Sequence, residues 1–411
     1  MRHIQRDDPE ISALIQEEEY RIEDTLNLIA AENHSPVSIM EVLGSVFNTK
    51  TIEGYPGKRF HAGCVNADQV ENIAIARAKR LFDAEYANVQ PHSGTSANLA
   101  VYFSVLAVGD RILSMNLPHG GHLSHGHRAS ITSKCFQFAH YGVDEKTGLI
   151  DYEEVRRVAE HFRPKMIVAG ASSYPRLIDY ATMAQIANDV SAYFLADMAH
   201  LAGLVAAKVI PSPVPHCDFV TFTCYKTMRG GRGGVILCRE KYGKRIDVTI
   251  FPGCQGTSAV NLIAAKALVF KLAAEPEFVR DQKQTLENAV HLALELERNG
   301  YRIVTGGTEN HQILVDLSPE GLTGNQAEKR LESVGIITNR NVVPNDAGTS
   351  ATVSGLRLGS AAVTTRGMGQ LEMRRISDLI SAALRGPDDP EALENLSLKV
   401  KRLCGEFPVY P

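Results

Sequence analysis

The sequence predicts an α/β protein in which helices cover both faces of a mainly parallel β-sheet. From Ala87 onward, short apolar runs alternate with helical stretches, and strands that are buried on both faces of a parallel sheet have this continuous apolar character. The predicted strands are Arg111 to Met115, Met166 to Gly170, Tyr193 to Asp197, Phe219 to Thr223 and Val235 to Cys238. Near residue 276 the pattern changes to helices mixed with shorter apolar runs, which indicates a second, smaller α+β domain.

A chain of 411 residues also favours two domains, because single hydrophobic cores rarely grow to that size. We expect an N-terminal arm and a large domain over residues 1–275, and a small C-terminal domain over residues 276–411. The arm is predicted to begin with a helix that Asp8 caps and Pro9 opens. An amphipathic helix is predicted from Asn261 to Ala274, before the boundary. The predicted strands of the small domain include Gln312 to Leu317 and Gly355 to Leu358.

Composition and charge argue against several classes of function. No apolar run approaches the roughly 20 residues that a membrane span needs. A net charge of −4 and an isoelectric point near 6.4 give no basic field that would attract nucleic acid phosphates. Seven cysteines without a Cys-x-x-Cys pair fit reduced thiols better than a disulfide framework, although a catalytic cysteine stays an alternative. With a charged N-terminus unlike a secretory signal, these features predict a cytoplasmic protein.

Three predicted strands end in residues that can carry chemistry, and ligands of open α/β sheets bind outside the carboxyl ends of strands. Gln90 to Asn98 ends one strand and opens a helix, so that small residues and backbone N–H groups could receive a phosphate. Asp197 and Lys226 end two further apolar runs. Taken singly, these features also fit a plain turn, a helix cap and a solvated loop charge, and a cap is the favoured explanation of Asp197 by itself.

Together, a phosphate cradle, an acid and a lysine are the three attachments that pyridoxal phosphate needs. Lys226 would carry the cofactor as a Schiff base, and Asp197 would keep its ring nitrogen protonated. Four histidines between His119 and His127 also fit a metal site, since imidazoles are common zinc ligands. No cysteine or acidic ligand is near them in sequence, and one imidazole stacked on a flat cofactor would explain the cluster equally well.

At this point the residues resemble those of a known family, serine hydroxymethyltransferase. The motifs that carry the resemblance, in the family's order, are Asn27 to Ala30, Glu53 to Arg59, Ala87 to Gly94, the histidine cluster, Asp197 to His200, Phe251 to Gly253 and Ser354 to Arg357. The resemblance implies a fold-type-I pyridoxal-phosphate enzyme with a seven-stranded-type sheet in its large domain. It also implies a homodimer, or a dimer of dimers, whose active sites are shared between subunits.

The resemblance implies a role for each matching residue. Lys226 is the implied Schiff-base lysine, Asp197 the ring-nitrogen partner, His122 the stacked imidazole and His200 the group near the cofactor hydroxyl. The other implied cofactor contacts are Ser93, Gly94, Thr95, Ser172 and Thr223, with Gly253 and Gly256 from a second subunit. The implied substrate contacts are Arg357, whose planar fork suits the amino acid carboxylate, and Glu53, an acid/base group that reaches the substrate hydroxyl across the interface. The implied tetrahydrofolate contacts are Leu117, Gly121 and Leu123, although the leucines would be ordinary core residues otherwise.

The chain departs from the family at positions that face substrate, cofactor phosphate or folate. Ala31 replaces a serine, Thr51 and His61 replace tyrosines, and Tyr225 replaces the histidine before the lysine. The other departures are Phe60, Cys254 to Ser258, and Thr349 to Ala351 in place of Ser-Pro-Phe. The cofactor's electronic partners are intact, so the sequence predicts that the chemistry survives while the substrate or the one-carbon acceptor has changed.

The predicted function is therefore aldol and retro-aldol chemistry on a β-hydroxy-α-amino acid that uses pyridoxal phosphate, with exchange of serine and glycine by tetrahydrofolate as the family's activity. Two alternatives use the same cofactor chemistry: a folate-independent threonine-type aldolase or transaldolase, and a hydroxymethyltransferase for an α-substituted serine. A third alternative is a non-catalytic homologue that binds the cofactor.

Overall fold

The computed structural model describes residues 2–344, 346 and 353–410. The helices are α1 (Arg2–Asp7), α2 (Pro9–Asp24), α3 (Val37–Leu43), α4 (Val65–Phe82), α5 (Gly94–Val105), α6 (Ile131–Cys135), α7 (Tyr152–Phe162), α8 (Tyr180–Asp189), α9 (Ala202–Ala206), α10 (Gly243–Val248), α11 (Val260–Leu272), α12 (Pro276–Arg298), α13 (Gly324–Ser333), α14 (Ala361–Thr365), α15 (Gln370–Arg385) and α16 (Pro390–Glu406). The strands are β1 (Leu26–Asn27), β2 (Gly54–Tyr55), β3 (Lys58–Arg59), β4 (Tyr86–Asn88), β5 (Arg111–Met115), β6 (Gln137–Tyr141), β7 (Met166–Gly170), β8 (Tyr193–Asp197), β9 (Phe219–Thr223), β10 (Gly234–Cys238), β11 (Arg302–Ile303), β12 (Gln312–Asp316), β13 (Ile336–Ile337), β14 (Asn339–Asn341) and β15 (Gly355–Gly359). None of these helices combines the length and the apolarity that a membrane span requires.

Contacts between Cα atoms divide the chain into two units. Ser35–Lys283 forms one unit, and Met1–His34 together with Gln284–Pro411 forms the other. By this criterion the N-terminal segment clusters with the C-terminal part of the chain, although the sequence analysis grouped it with the large domain. The boundary between residues 275 and 276 stays a prediction, and the division by contacts falls within α12.

The sheet of Ser35–Lys283 has seven strands in the order β4-β10-β9-β8-β7-β5-β6. Strands β5 to β9 pair in parallel, while β10 is antiparallel to both β9 and β4. Strands β4 to β9 therefore all run in one direction, and their carboxyl ends meet at one edge of the sheet. Four predicted strands match β5, β7, β8 and β9 residue for residue, and the fifth begins one residue earlier, at Gly234.

Helix α11 covers this sheet together with α4, and its burial differs from the prediction. The sequence suggested an amphipathic helix from Asn261 to Ala274, but α11 is buried over much more than one stripe. Its buried residues are Val260, Ile263, Ala264, Ala265, Lys266, Ala267, Val269 and Phe270. The ring of Phe82 on α4 lies 4.8 Å from that of Phe222 and 6.5 Å from that of Phe270, measured between centroids. Small alanines on α11 allow this close packing of helix and sheet.

The second unit is built on an antiparallel sheet in the order β11-β12-β15-β14. Helices α12, α13, α15 and α16 contribute to its core, which is aliphatic. Core residues include Leu292, Leu331, Ile376, Ile380 and Val400. The predicted start of α2 is confirmed, since Asp8 Oδ1 accepts a hydrogen bond from Ile11 N at 3.1 Å and Pro9 is the first helical residue.

Candidate active site

Five of the predicted site residues lie at the edge of the sheet where the carboxyl ends meet. Asp197 is the last residue of β8, and Ser93 and Lys226 follow β4 and β9. His122 follows β5, and Ser172 follows β7. The fold therefore converts five positions that are distant in sequence into one candidate site, because parallel strands place their carboxyl ends side by side.

The predicted phosphate cradle is the N-terminus of α5. Ser93 Oγ accepts from Ser96 N at 3.1 Å, and Ser93 N donates to Ser96 Oγ at 2.9 Å, which forms a capping box. Thr95 is exposed, and the first N–H groups of a helix have no acceptor within the helix. Glycine is required at position 94, because a Cβ there would lie 2.8 Å from Thr223 Cγ2. This close approach sets the cradle against the end of β9.

Asp197 is buried, and three groups bind its carboxylate. Asn98 Nδ2 donates to Oδ2 at 2.9 Å, His125 Nε2 lies 3.0 Å from the same oxygen, and Ala199 N donates to Oδ1 at 3.0 Å. Burial by itself raises the pKa of Asp197. The hydrogen bond and charge of His125, the charge of His122 and the hydrogen bond from Asn98 outweigh burial, so that the pKa lies well below its usual range. The acid is therefore ionised at neutral pH, as a partner for a protonated ring nitrogen must be.

His125, Asn98 and Tyr102 support this carboxylate, and the sequence analysis assigned no role to them. The Tyr102 hydroxyl lies 2.6 Å from His125 Nδ1, and burial raises the pKa of Tyr102 well above 10.0, so the hydroxyl keeps its proton. Because the ionised Asp197 can only accept, His125 carries a proton on Nε2, which faces that carboxylate. A signal was present in the sequence: Asn98 and Tyr102 are four residues apart on the helix that the cradle opens, so they share one face.

His122 belongs to the same buried hydrogen-bond network. Its Nδ1 lies 2.7 Å from Ser124 Oγ, which also accepts from Asn98 Nδ2 at 3.0 Å. Ligand atoms of His122, His125 and Asp197 all lie within 4.8 Å of one another, so the fold supplies the acidic ligand that a metal site lacked in sequence. A metal at this cluster would have to displace the hydrogen bond between His125 Nε2 and Asp197. The contact with Ser124 holds the imidazole of His122 close to the ionised Asp197. This placement suits an imidazole that stacks on the ring of a flat cofactor.

Lys226 lies in the loop between β9 and β10, with only 6% of its surface exposed. The next residue holds this loop in place, since Thr227 Oγ1 donates to the backbone oxygen of His200 at 2.9 Å and accepts from Gly203 N at 2.9 Å. The ring of Tyr225 is covered by the guanidinium of Arg232, whose Cζ is 4.2 Å from the ring centroid. Tyr225 therefore adds a hydroxyl-bearing ring directly beside the lysine, where the family has an imidazole.

The hairpin of β2 and β3 carries the residues that are implied to serve a neighbouring site. Glu53 is half-buried immediately before β2, while Thr51 and His61 are exposed. Arg59 anchors the hairpin, because its Nη1 donates to the Gly54 oxygen at 2.6 Å and its Nη2 contacts Glu71 Oε2 at 2.5 Å. Glu53 thus lies at the base of an anchored hairpin, where its backbone oxygen accepts from Phe60 N at 3.1 Å, and its role stays a prediction.

The positions that are implied to contact folate and a second subunit lie mostly at the surface. Leu117 and Leu123 are 36% and 52% exposed, so they are not core residues. Gly121 between them is buried, and a Cβ there would lie 2.2 Å from a backbone oxygen of β5. Gly253 and Gly256 are both exposed. An apolar surface is therefore available beside His122.

Arg357 and Ala31 belong to the second unit. Arg357 lies in β15, and its Nε donates to Asn339 Oδ1 at 3.1 Å. Burial lowers the pKa of Arg357 to about 10. The end of β15 is tied to the segment before Ala31, since Gly359 N donates to Leu28 O at 2.8 Å. A half-buried guanidinium of this kind suits a bidentate carboxylate ligand.

The cysteines give no support to thiol catalysis. All seven are free. Burial raises the pKa of Cys224 and of Cys238 to about 12, so neither forms a nucleophilic thiolate near neutral pH. Cys254 is exposed as a residue, but its thiol is partly covered by protein, and this raises the pKa of Cys254.

A family model described as serine hydroxymethyltransferase matches residues 4–380 of the chain. The chain belongs to the serine hydroxymethyltransferase family. The match confirms the resemblance and the fold class that the sequence predicted, and it implies pyridoxal phosphate as the cofactor and a place in amino acid and one-carbon metabolism. Of the departures from the serine hydroxymethyltransferase pattern, Thr349 to Ala351 lie outside the described residues.

The residues of this serine hydroxymethyltransferase-family site fit pyridoxal phosphate. The N-terminus of α5 offers N–H groups to a phosphate, Asp197 is a buried and ionised acid, and Lys226 is a buried amine at the next strand end. When bound, the cofactor supplies a conjugated ring that accepts electrons from a breaking bond at the amino acid α-carbon. The chain's own residues would hold that ring, its nitrogen proton and its phosphate.

The ionised state of Asp197 predicts a pH-dependent contribution to stability. A carboxyl whose pKa is lowered by folding stabilises the protein above its ordinary pKa of 3.8, and this contribution is lost as the pH falls below it. We expect Asp197→Asn to lower the free energy of unfolding at pH 7 by about 1–3 kcal/mol. In urea titrations of the apoprotein, the difference in free energy of unfolding between Asp197→Asn and the wild type should become smaller below pH 4.

Asp7→Asn is the matched control, since the Asp7 side chain is 62% exposed. Its free energy of unfolding should stay within about 0.5 kcal/mol of the wild type at each pH. If the free energies of unfolding of Asp197→Asn and the wild type differ by the same amount at pH 7 and at pH 3, the Asp197 carboxyl is not held ionised.

Proposed function

We propose that this protein catalyses aldol and retro-aldol cleavage of a β-hydroxy-α-amino acid with pyridoxal phosphate, as in the exchange of serine and glycine with tetrahydrofolate. The observation that carries the proposal is the buried, ionised carboxylate of Asp197, at the same sheet edge as Lys226 and the α5 cradle. An ionised acid holds a proton on the cofactor ring nitrogen, which a ring needs in order to absorb charge from the α-carbon.

Four side chains have proposed roles in binding and in proton transfer. Lys226 binds the cofactor carbonyl through Nζ and returns a proton to the α-carbon. His122 covers the ring, and Arg357 binds the substrate carboxylate through its planar fork. Glu53 takes the proton of the substrate hydroxyl while the bond between Cα and Cβ breaks and the hydroxyl carbon becomes a carbonyl. The burial of Lys226 and the partial burial of Arg357 support these roles, because charges that are shielded from water interact more strongly with a ligand.

Tetrahydrofolate is the proposed acceptor of the one-carbon unit. The exposed side chains of Leu117 and Leu123 support this choice, since a flat heterocycle needs apolar surface close to the stacked imidazole. Folate-independent cleavage or transaldol transfer is the second candidate. It is favoured by the departures Thr51, His61 and Tyr225, each of which changes a group that the family directs at substrate or folate.

We also propose a homodimer with shared sites, acting in the cytoplasm. The exposure of Thr51, His61, Gly253 and Gly256 supports sharing, because these positions are available to a second copy of the chain. In this arrangement each subunit supplies Lys226 to its own site and Glu53 to its neighbour's.

Lys226→Ala tests the cofactor assignment. After incubation with pyridoxal phosphate and reduction with borohydride, mass spectrometry of the wild type should find the cofactor on the peptide that contains Lys226. The variant should lose this adduct, because no amine remains at that strand end. Lys208→Ala is the control, since the Lys208 side chain is 78% exposed and should label as the wild type does. An unchanged yield of specific adduct in Lys226→Ala would refute the assignment.

Exchange of the glycine α-proton separates the candidate activities. In D₂O the wild type should exchange this proton, as followed by NMR, and tetrahydrofolate should accelerate the exchange if folate is the acceptor. A folate-independent aldolase should instead release acetaldehyde from threonine and show no folate response. A protein that binds the cofactor but neither exchanges glycine nor cleaves threonine would be the non-catalytic homologue, and the proposal of catalysis would fail.

Shared sites predict that two inactive variants complement each other. Lys226→Ala and Glu53→Gln should each lose most activity, since each removes one essential group from every site. A hybrid dimer of the two keeps one intact site, so mixed protein should regain up to about a quarter of the wild-type activity by random pairing. Light scattering should give a multiple of the 44.9 kDa chain mass. Mixed dimers without recovered activity would contradict the placement of Glu53.

A further inference from the structure

Lys266 is a buried lysine to which the proposed chemistry gives no role. It lies on α11 with 1% of its surface exposed, and burial lowers its pKa to about 8. Its Nζ donates to Val89 O at 2.6 Å and to Pro91 O at 2.9 Å, and within the described part of the chain it forms no ion pair. An ammonium group that is buried among carbonyls alone is costly to stability, which calls for a functional explanation.

The two carbonyls belong to the short segment that joins β4 to the cradle. Residues 89–91 lie between Asn88, the last residue of β4, and Ser93, the cap of α5. The intervening carbonyl, that of Gln90, is bound by side chains that shortly precede Lys266 in the chain. Gln90 O accepts from Gln255 Nε2 at 2.9 Å and from Ser258 Oγ at 3.0 Å. Three successive carbonyls before the cradle are thus bound by side chains from residues 255–266.

The stem of Lys266 also lies against the loop that carries Lys226. A Cβ at Gly233 would lie 2.4 Å from Lys266 Cε, so a side chain at this position would have to displace the stem. The next residue touches the cradle itself, since a Cβ at Gly234 would lie 2.2 Å from Ser93 O. Gly234 N donates to Pro91 O at 3.0 Å. Lys266 therefore packs beneath both the cradle and the end of the lysine-bearing loop.

The titratable groups around Lys266 do not neutralise it at contact distance. Glu71 on α4 contributes through space, but its oxygens bind Arg59 and the amide of Gln90. Burial raises the pKa of Cys224, which follows β9, to about 12, so this thiol is neutral. The positive charge of Lys266 is therefore directed only at the backbone of residues 89–91.

We propose that Lys266 is a positioning residue, which holds the carbonyls of Val89 and Pro91 so that the N-terminus of α5 meets the cofactor phosphate. This inference rests on the proposed function, since it assigns the cofactor phosphate to the α5 cradle. Lys266 itself contacts only protein groups, so its effect is on cofactor affinity and on the order of the cradle.

Two substitutions and a control test the proposal. Lys266→Met removes both N–H donors and leaves a buried carbonyl without its partner, so affinity for pyridoxal phosphate should fall about tenfold. Lys266→Gln keeps N–H donors on a shorter side chain that reaches one carbonyl. Its affinity for pyridoxal phosphate should therefore lie between that of the wild type and that of Lys266→Met. Phe270→Leu loses volume elsewhere on α11, where Phe270 packs on Phe222 and Phe82, and should bind as the wild type does.

Hydrogen exchange of the apoprotein gives a second measurement that does not depend on the cofactor. Amides of residues 89–98 should exchange faster in Lys266→Met than in the wild type, and Lys266→Gln should be intermediate, because opening of the cradle costs less once the carbonyls are released. Phe270→Leu should leave exchange in this segment unchanged relative to the rest of the protein.

Wild-type affinity and wild-type exchange in Lys266→Met would overturn the proposal, as would an equal loss of affinity in Phe270→Leu. If Lys266→Met does not fold, Lys266→Gln tests the proposal. Wild-type affinity and wild-type hydrogen exchange in Lys266→Gln would contradict the need for two donated hydrogen bonds. A wild-type protein that binds no pyridoxal phosphate would refute the proposed function. The exchange measurement would still show whether Lys266 orders the cradle.

Discussion

The buried carboxylate of Asp197 is the constraint on which the rest of the site depends. Removing a charge from water is unfavourable, so this group stays ionised only because Asn98, His125 and a backbone N–H bind its oxygens. Those partners need support of their own. The Tyr102 hydroxyl is hydrogen-bonded to His125 Nδ1, and Thr221 Oγ1 donates to Asn98 Oδ1 at 2.6 Å. One ionised group therefore accounts for a network that ties α5 to β8 and β9.

Close backbone approach is the second requirement of the site. The cradle meets the end of β9 at Gly94 and the start of β10 at Gly234, and a side chain at either position would collide with its neighbour. Lys266 then binds the backbone that leads into the cradle. These contacts bring the cradle and the lysine-bearing loop together through protein groups alone, so the arrangement is prepared before a ligand arrives.

Several departures from the family lie outside this framework, although Ser258 belongs to it because its hydroxyl donates to Gln90 O. Asp197, His125 and Asn98 are buried, whereas Thr51 and His61 are exposed, and Tyr225 is half-buried beside the lysine. Substitution at exposed positions leaves the ionised acid and its hydrogen bonds unchanged. Such a distribution fits a protein that keeps the electronic apparatus for α-carbon chemistry while its substrate or acceptor differs.

The sequence alone predicted five of the seven strands of the sheet and singled out Asp197 and Lys226 as the central residues of the candidate site. Apolar runs are a local signal, so β5, β7, β8 and β9 were predicted to the residue, and Asp197 and Lys226 stood at the ends of two of them. The tertiary structure decided what binds them. His125 and Asp197 are 72 residues apart, and Lys266 lies 177 residues from Val89, so no local pattern could pair them. The same holds for the burial of α11, which looked amphipathic until α4 and the sheet covered its other faces, and for the N-terminal segment, which clusters with the C-terminal part of the chain. Periodicity encodes which face of an element is apolar, but only packing in three dimensions decides which distant groups meet.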